Sequence, residues 1–157
     1  SMRSQKENPA TNQLPDNNYS RELKQLFALG ENKLNPDGSV VMGANGRPEV
    51  VYTSADIQGM SKVFTGLSWY AGPDTSDRTR NRFFGQDANL ERDWRPMQAY
   101  DEYTPNTSFH SISEKQFLGV TIPAQTKPDT NADIKIVLDT VFNHPNVGPF
   151  IGKQLIQ

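Results

Sequence analysis

The chain has 157 residues, which is the length of one domain, and 34% of them are apolar, so a hydrophobic core is possible. Its 11 glycines and 11 prolines indicate a large share of loop, and its formal net charge of −2 disfavours nucleic acid and anionic membranes as partners. The absence of cysteine excludes disulfides and thiolate metal sites, and no apolar run is long enough to span a membrane.

The two ends of the chain differ in pattern. Residues 1–15 are polar, contain two prolines and show no apolar period, so they are predicted to be a flexible or lead-in segment. Residues 16–157 are predicted to form a single domain, or a fragment of a larger helical domain, with a long loop insertion at 71–108. A fragment is expected because residues 150–157 still have the pattern of an amphipathic helix and no glycine or proline follows.

The first predicted helix covers residues 16–30. Its apolar residues recur at i, i+4, i+7 and i+8, which is the spacing of one helix face. Gly30 supplies the C-terminal stop. The residues of this predicted apolar stripe are Tyr19, Leu23, Leu26 and Phe27.

A hairpin and a second helix follow. Two short β segments, 40–42 and 50–52, flank the turn-forming pair Asn45-Gly46. Thr53 or Ser54 is predicted to cap a helix that ends near Gly66, with an apolar stripe on one face.

The insertion at 71–108 is rich in aromatic residues and arginine but has no sustained period. Over residues 74–95 of this insertion, five arginines are matched by five acidic residues, so that stretch is charge-balanced and is not predicted to follow a phosphate backbone.

The C-terminal third is predicted to contain one strand and two helices. Residues 117–122 have strand-like composition and are predicted to pair with the earlier hairpin or with residues near 97–100. Asn131 is predicted to cap a third helix, and His144-Pro145 separates it from a final helix. The fold class predicted from these elements is mainly α, with about four helices, a small antiparallel hairpin or sheet, and long loops.

Four ordered blocks of this chain resemble one bacterial family, domain-of-unknown-function family eighteen hundred. Residues 16–30 resemble its Asn-Tyr-Ala-Arg-Glu-Leu…Glu-Leu-Phe-Thr-Leu-Gly signature, and residues 52–69 are similar to its Tyr-Thr…Asp-Val…Leu-Thr-Gly-Trp block. Residues 110–119 and 133–155 resemble its His-Asp…Lys…Leu-Gly and Asp-Leu…Leu-Asp…His-Pro…Phe-Ile…Lys-Leu blocks. The match departs at Leu67-Ser68, which precede Trp69 where the family usually has Gly-Trp directly.

The resemblance implies a largely helical parent protein of several hundred residues that is exported to the periplasm or the extracellular space. It supplies no established reaction and no catalytic residues. Function therefore has to be sought in individual side chains.

Three residues are candidates for acid–base chemistry: Glu22, Asp56 and His110. Arg21 and Lys115 are candidates for holding an anionic group of a substrate. Each has a structural alternative, because Arg21 and Glu22 suit ion pairs between helices and Asp56 suits the positive end of its helix. His110 is the best single catalytic candidate, and a local hydrogen bond is its alternative.

Aromatic residues offer a second kind of site. Trp69, Trp94 and Tyr100 would form a stacking surface for sugar rings, or they would fill the core. No cofactor is identifiable, and the two histidines have no metal-binding spacing.

Two functions are predicted on these grounds. The first is a binding or structural module for a cell-envelope component, an extracellular polysaccharide, a partner protein or the flanking parts of its own parent. The alternative is a hydrolase that uses the Glu/Asp/His cluster together with the cationic residues.

Overall fold

The computed structural model describes residues 4–70, 83, 96–101 and 109–156. This part of the chain is mainly α with minor β, which confirms the predicted fold class. Its helices are α1 (Asn18–Glu22), α2 (Ser54–Val63), α3 (Thr130–Phe142) and α4 (Val147–Ile156), with a π-helical segment (Leu23–Ala28) and a 3₁₀ turn (Pro9–Thr11).

Two small antiparallel sheets complete the described elements. Strand β1 (Leu67–Ser68) pairs with β2 (Gln98–Ala99), and β3 (Lys115–Phe117) pairs with β4 (Val120–Ile122). The prediction of one strand over residues 117–122 is wrong, because Leu118 and Gly119 have φ of 49° and 79° and fold this stretch back on β3. The partner expected near residues 97–100 instead pairs with β1.

The predicted first helix is present, but its buried face differs from the prediction. The Leu29 amide donates to the Lys24 carbonyl, an i+5 to i bond that widens the turn. Leu26 and Phe27 lie within that turn and are exposed, while Lys24 faces the interior. Tyr19 is exposed as well, so the apolar stripe of the sequence is largely on the outside of the domain.

The predicted hairpin is present as an irregular ribbon over residues 31–51. The Gly43 amide donates to Arg47 across the turn, and the Glu49 amide donates to the Val41 carbonyl. The Val41 amide in turn donates to the Lys33 carbonyl, so the ribbon has a third chain segment that the sequence did not predict.

The main core lies between α2, β3, β4 and α3. Its buried residues are Leu29, Met60, Val63, Phe64, Phe117, Ile122, Val137 and Val141. Helix α2 is central and packs closely on β3: a Cβ placed on Gly59 would lie 1.7 Å from the carbonyl oxygen of Gln116. Only glycine at that position allows this helix and this strand to be so close.

A second core is aromatic and is formed by residues of three separate parts of the described chain, Phe83, Tyr100 and Phe109. Phe83 and Phe109 stack at 4.0 Å, and the Tyr100 ring packs edge-on against both. Most of the predicted insertion at 71–108, including Trp94, lies outside the described residues.

The predicted lead-in segment contacts this part of the domain. The Lys6 amide donates to the Phe109 carbonyl, and the Gly66 amide donates to the Ser4 carbonyl.

None of the described helices is both long enough and apolar enough to cross a membrane.

Candidate functional site

A buried polar network lies beside the C-terminal end of α2, with Asp133 at its centre. Asp133 belongs to the buried face of α3 because it precedes Val137 by four residues and Val141 by eight. Its Oδ2 accepts from Lys115 Nζ at 2.9 Å and from His110 Nε2 at 3.0 Å. The three side chains are between 0% and 1% exposed.

Gln125 closes this network into a ring. Its Oε1 accepts from Lys115 Nζ at 2.9 Å, and its Nε2 donates to Oδ1 of Asp133 at 2.9 Å. Both carboxylate oxygens of Asp133 are therefore occupied, as a buried carboxylate requires.

Both ring nitrogens of His110 face oxygen acceptors. Nδ1 lies 2.8 Å from the Thr65 carbonyl oxygen, and Nε2 faces the Asp133 carboxylate. The Thr65 hydroxyl donates to the Lys62 carbonyl, so it does not supply a proton to Nδ1. Both ring nitrogens are therefore engaged within the protein.

Gly66 brings the His110 backbone to the end of α2. Its φ is 79°, and a Cβ on Gly66 would lie 2.9 Å from both the backbone nitrogen and the Cβ of His110. The backbone thus places the imidazole against Thr65, and the Ser111 amide donates to the Thr65 hydroxyl at 2.8 Å.

The charges in the network determine the state of its carboxyl group. Burial alone would raise the pKa of Asp133, but the hydrogen bonds and positive charges of His110 and Lys115 hold that pKa below its usual value. The network is saturated and closed to solvent, so its physical effect is to join α2, β3, α3 and residues 109–111.

A second group of polar residues lies at the other end of α2, around Lys24. This lysine is fully buried and its Nζ has no hydrogen-bond partner. The Nζ lies 5.2 Å from the centroid of the Tyr52 ring. Burial lowers the pKa of Lys24 to about 8, against the raising effect of Asp56.

Asp56 is hydrogen-bonded at both oxygens. Oδ2 accepts from the Thr53 amide and hydroxyl at 2.7 Å, which completes the predicted cap of α2, and Oδ1 accepts from the Leu118 amide at 2.7 Å. Burial raises the pKa of Asp56, but these bonds and the Lys24 charge bring it below its ordinary value. Asp56 therefore ties the start of α2 to the β3–β4 turn.

The candidates for catalysis fall into two separate groups. Arg21 is exposed and Glu22 is half-buried on α1, and both act on the Tyr52 hydroxyl electrostatically. Asp56 is near Lys24, whereas His110 lies past the other end of α2, roughly 14 Å along the helix axis at 1.5 Å per residue. Catalytic roles for Glu22, Asp56 and His110, and substrate-holding roles for Arg21 and Lys115, stay predictions.

The candidate aromatic residues are placed differently from one another. Trp69 is half-buried, and its carbonyl oxygen accepts from the Tyr100 hydroxyl at 2.9 Å. Tyr100 is fully buried in the aromatic core, so stacking on a sugar would require its ring to leave that core. Trp94 lies outside the described residues.

The joint between α3 and α4 is another polar contact. His144 Nδ1 accepts from the Asn146 amide at 3.1 Å. The buried Asn146 side chain donates to the carbonyls of Leu29 and Asn32 and accepts from the Leu34 amide. In the part of the chain that the structure describes, no three His, Asp or Glu residues are grouped to hold a metal ion.

Sequence reasoning missed Lys24, Thr65, Gln125 and Asp133. Asp133 carried a signal, because a carboxylate on the same helix face as Val137 and Val141 has to be paired. Lys24 carried none, because a lysine four residues after a serine does not mark the buried face of a helix.

Comparison with known proteins found one family. The model of the family described as "Protein of unknown function (DUF1800)" matches residues 1–157, the whole chain. No curated protein and no solved structure matches the chain.

Proposed function

This chain belongs to the DUF1800 family of proteins of unknown function, and we propose that it acts as a binding module for a partner protein. The proposed contact surface is the apolar outer face, defined here as Leu26 and Phe27 of the π-helical segment with Leu138 and Phe142 of α3. Helix α3 packs on the π-helical segment, so these residues belong to one helical layer.

The exposure of this face carries the proposal. Leu26 is 52% exposed, Phe27 68%, Leu138 49% and Phe142 82%. Large apolar side chains that are clustered on adjoining helices and left in water mark protein interaction surfaces. The Lys135–Asp139 ion pair on α3 is internally neutralised, so recognition here rests on apolar contact.

A protein partner fits this face better than a polysaccharide does. Sugar-binding surfaces present aromatic rings together with polar groups that meet the hydroxyls. The outer face consists of two leucines and two phenylalanines with no polar group among them, and Tyr100 is buried. A helical partner with its own apolar face would remove this surface from water.

The hydrolase alternative has weaker support. His110 is fully buried with both ring nitrogens bonded, and both oxygens of Asp56 are bonded to the protein. A general base needs to reach a substrate proton, which these contacts do not permit without rearrangement.

Export to the periplasm or beyond is also part of the proposal. It is supported by the resemblance of the four sequence blocks to a family whose members are commonly exported.

Photo-crosslinking in the producing organism tests the proposal. A benzophenone amino acid replaces Phe142, which is exposed enough for the change to leave folding intact. The matched control carries the same group at Met42, a 56% exposed residue of the 31–51 ribbon. We expect a discrete protein adduct at position 142 that is absent at position 42.

A second variant separates docking from chance contact. Leu138→Asp, one turn from position 142, should abolish the adduct while the melting temperature stays unchanged. Adducts of equal yield at both positions, or none at position 142, would overturn the proposal, and a carbohydrate adduct would favour the polymer. An adduct with a second copy of this chain would identify the partner.

A further inference from the structure

Lys24 is a buried amine with three potential donors and no acceptor. Buried charges in proteins are normally paired or bound to a ligand, because desolvation penalises the charged form. Among the described residues, its Nζ has no hydrogen-bond partner and lies over the Tyr52 ring face, and a cation–π contact leaves the amine without an oxygen partner. The amine is therefore held in surroundings that favour its neutral, nucleophilic form.

The charges around Lys24 decide what kind of ligand it would accept. Asp56 acts on Lys24, and Glu22, Glu31 and Arg21 act on the Tyr52 hydroxyl beside it. These groups are three carboxylates and one guanidinium, so the surroundings of Lys24 and Tyr52 carry a net negative charge. An anionic ligand would be repelled, so a neutral electrophile fits the surroundings better.

Tyr52 forms a movable cover over the amine. Its neighbours are anchored, because the Val51 amide donates to Glu31 and the Thr53 amide donates to Asp56. Among the described residues, no hydrogen bond holds the Tyr52 hydroxyl, and the residue is only partly buried. Rotation of this ring would open the amine to solvent without breaking a hydrogen bond.

We propose that Lys24 is a nucleophilic site for a small neutral carbonyl compound, an aldehyde or a ketone, and that the Tyr52 ring covers it. The Nζ lone pair attacks the carbonyl carbon, the N–C bond forms, and the carbonyl oxygen takes a proton from the amine. The carbinolamine then loses that oxygen as water with the second amine proton, which leaves a C=N bond. No electron is gained or lost overall.

Reductive trapping tests this site on the chain as it stands. The protein is treated at pH 8 with limiting butanal and cyanoborohydride, which reduces any imine, and the alkylation of each lysine is followed by peptide mass spectrometry. The exposed Lys127 is the internal reference. We expect Lys24 to react about tenfold faster than Lys127, because far more of its amine is neutral at this pH.

Two variants and a pH series complete the test. Tyr52→Ala should speed alkylation of Lys24 and leave Lys127 unchanged, and Lys24→Met should remove the fast reaction. The Lys24 rate should level off above pH 8 while the Lys127 rate keeps rising. If wild-type Lys24 reacts no faster than Lys127, or rises with pH in parallel with it, Lys24 is a packing residue and the proposal fails, whether or not the Tyr52 variant folds.

Discussion

Two lysines of this chain are fully buried, and the protein holds them in opposite ways. Lys115 donates to Asp133 and Gln125 inside a closed network, and its charge is neutralised there. Lys24 is equally inaccessible, but only an aromatic ring faces its amine. Burial is thus the same at both sites, and the number of acceptors decides whether the lysine stabilises the fold or opposes it.

The region around Lys115 is therefore structural, whereas the region around Lys24 is available for chemistry. Around Lys115, polar groups from α2, β3, α3 and residues 109–125 satisfy one another, so nothing is left for a ligand to bind. Around Lys24, the chain segment that contains Tyr52 supplies no hydrogen-bond acceptor, so the amine keeps its reactivity. Four measurements sharpen or break this contrast.

The largest effect is expected from breaking the Asp133 network. Asp133→Asn leaves Lys115 and His110 without their carboxylate, and we expect the free energy of unfolding to fall by about 3–5 kcal/mol, as for other buried pairs that lose one partner. Urea denaturation measures it. Asp139→Asn, which removes an exposed carboxylate of the same helix, should cost no more than about 0.5 kcal/mol; equal losses would mean that the network contributes nothing special.

Alkaline pH should stabilise the protein through Lys24. Its pKa is about 8 in the folded chain and 10.5 in the reference state, so between these values the unfolded chain binds more protons and stability rises with pH. The gain is about 3 kcal/mol at most, from 1.36 kcal/mol per pKa unit. The measurement is the difference between wild type and Lys24→Met from pH 7 to 10, and parallel curves would contradict it.

Replacing each buried lysine by methionine should give opposite signs. Lys24→Met removes an unpaired amine of similar length, and we expect it to stabilise the protein by about 1–2 kcal/mol at pH 7. Lys115→Met should instead destabilise it, because Asp133 and Gln125 lose their donor. Thermal and urea unfolding of both variants decide the point, and destabilisation by both would show that Lys24 has a partner in solution.

The smallest effect is expected on the apolar outer face. Leu138→Asp should change the free energy of unfolding by no more than about 0.5 kcal/mol, because the side chain is already half in water. Val137→Asp, one residue earlier but fully buried, is the contrasting variant and should unfold the domain. A large loss from Leu138→Asp would place that residue in the core.

Local features of the fold were predictable because their causes are local. Asp56 follows Thr53 by three residues, so the α2 cap follows from spacing alone. The break at Pro145 between α3 and α4 likewise follows from proline stereochemistry. The pairing of β1 with β2 was not predictable, because about thirty residues separate two very short strands and neither has a distinctive pattern.

In the candidate site, too, residue types could be identified from the sequence, but contacts between distant residues could not. His110 was identified as the best single catalytic candidate, with a local hydrogen bond as the alternative, but its partners Thr65 and Asp133 lie 45 and 23 residues away. Lys24 lies four residues after the buried Ser20, so the two share one buried face of the helix. A period of 3.6 residues cannot show which face of this helix packs inward, because contacts with distant segments decide it.

The sequence by itself determined the mainly helical class, the extent of the helices to within a few residues, and the family to which the chain belongs; the cap of α3, for example, is Asp129 and not the predicted Asn131. These depend on capping residues, glycine, proline and ordered motifs, which act over a few residues. Only the tertiary structure decided which of two buried lysines is paired, which apolar residues are left in water, and that His110 and Asp56 lie at opposite ends of α2. These depend on contacts between distant segments, where a one-residue change in helical register moves a side chain from solvent to the core.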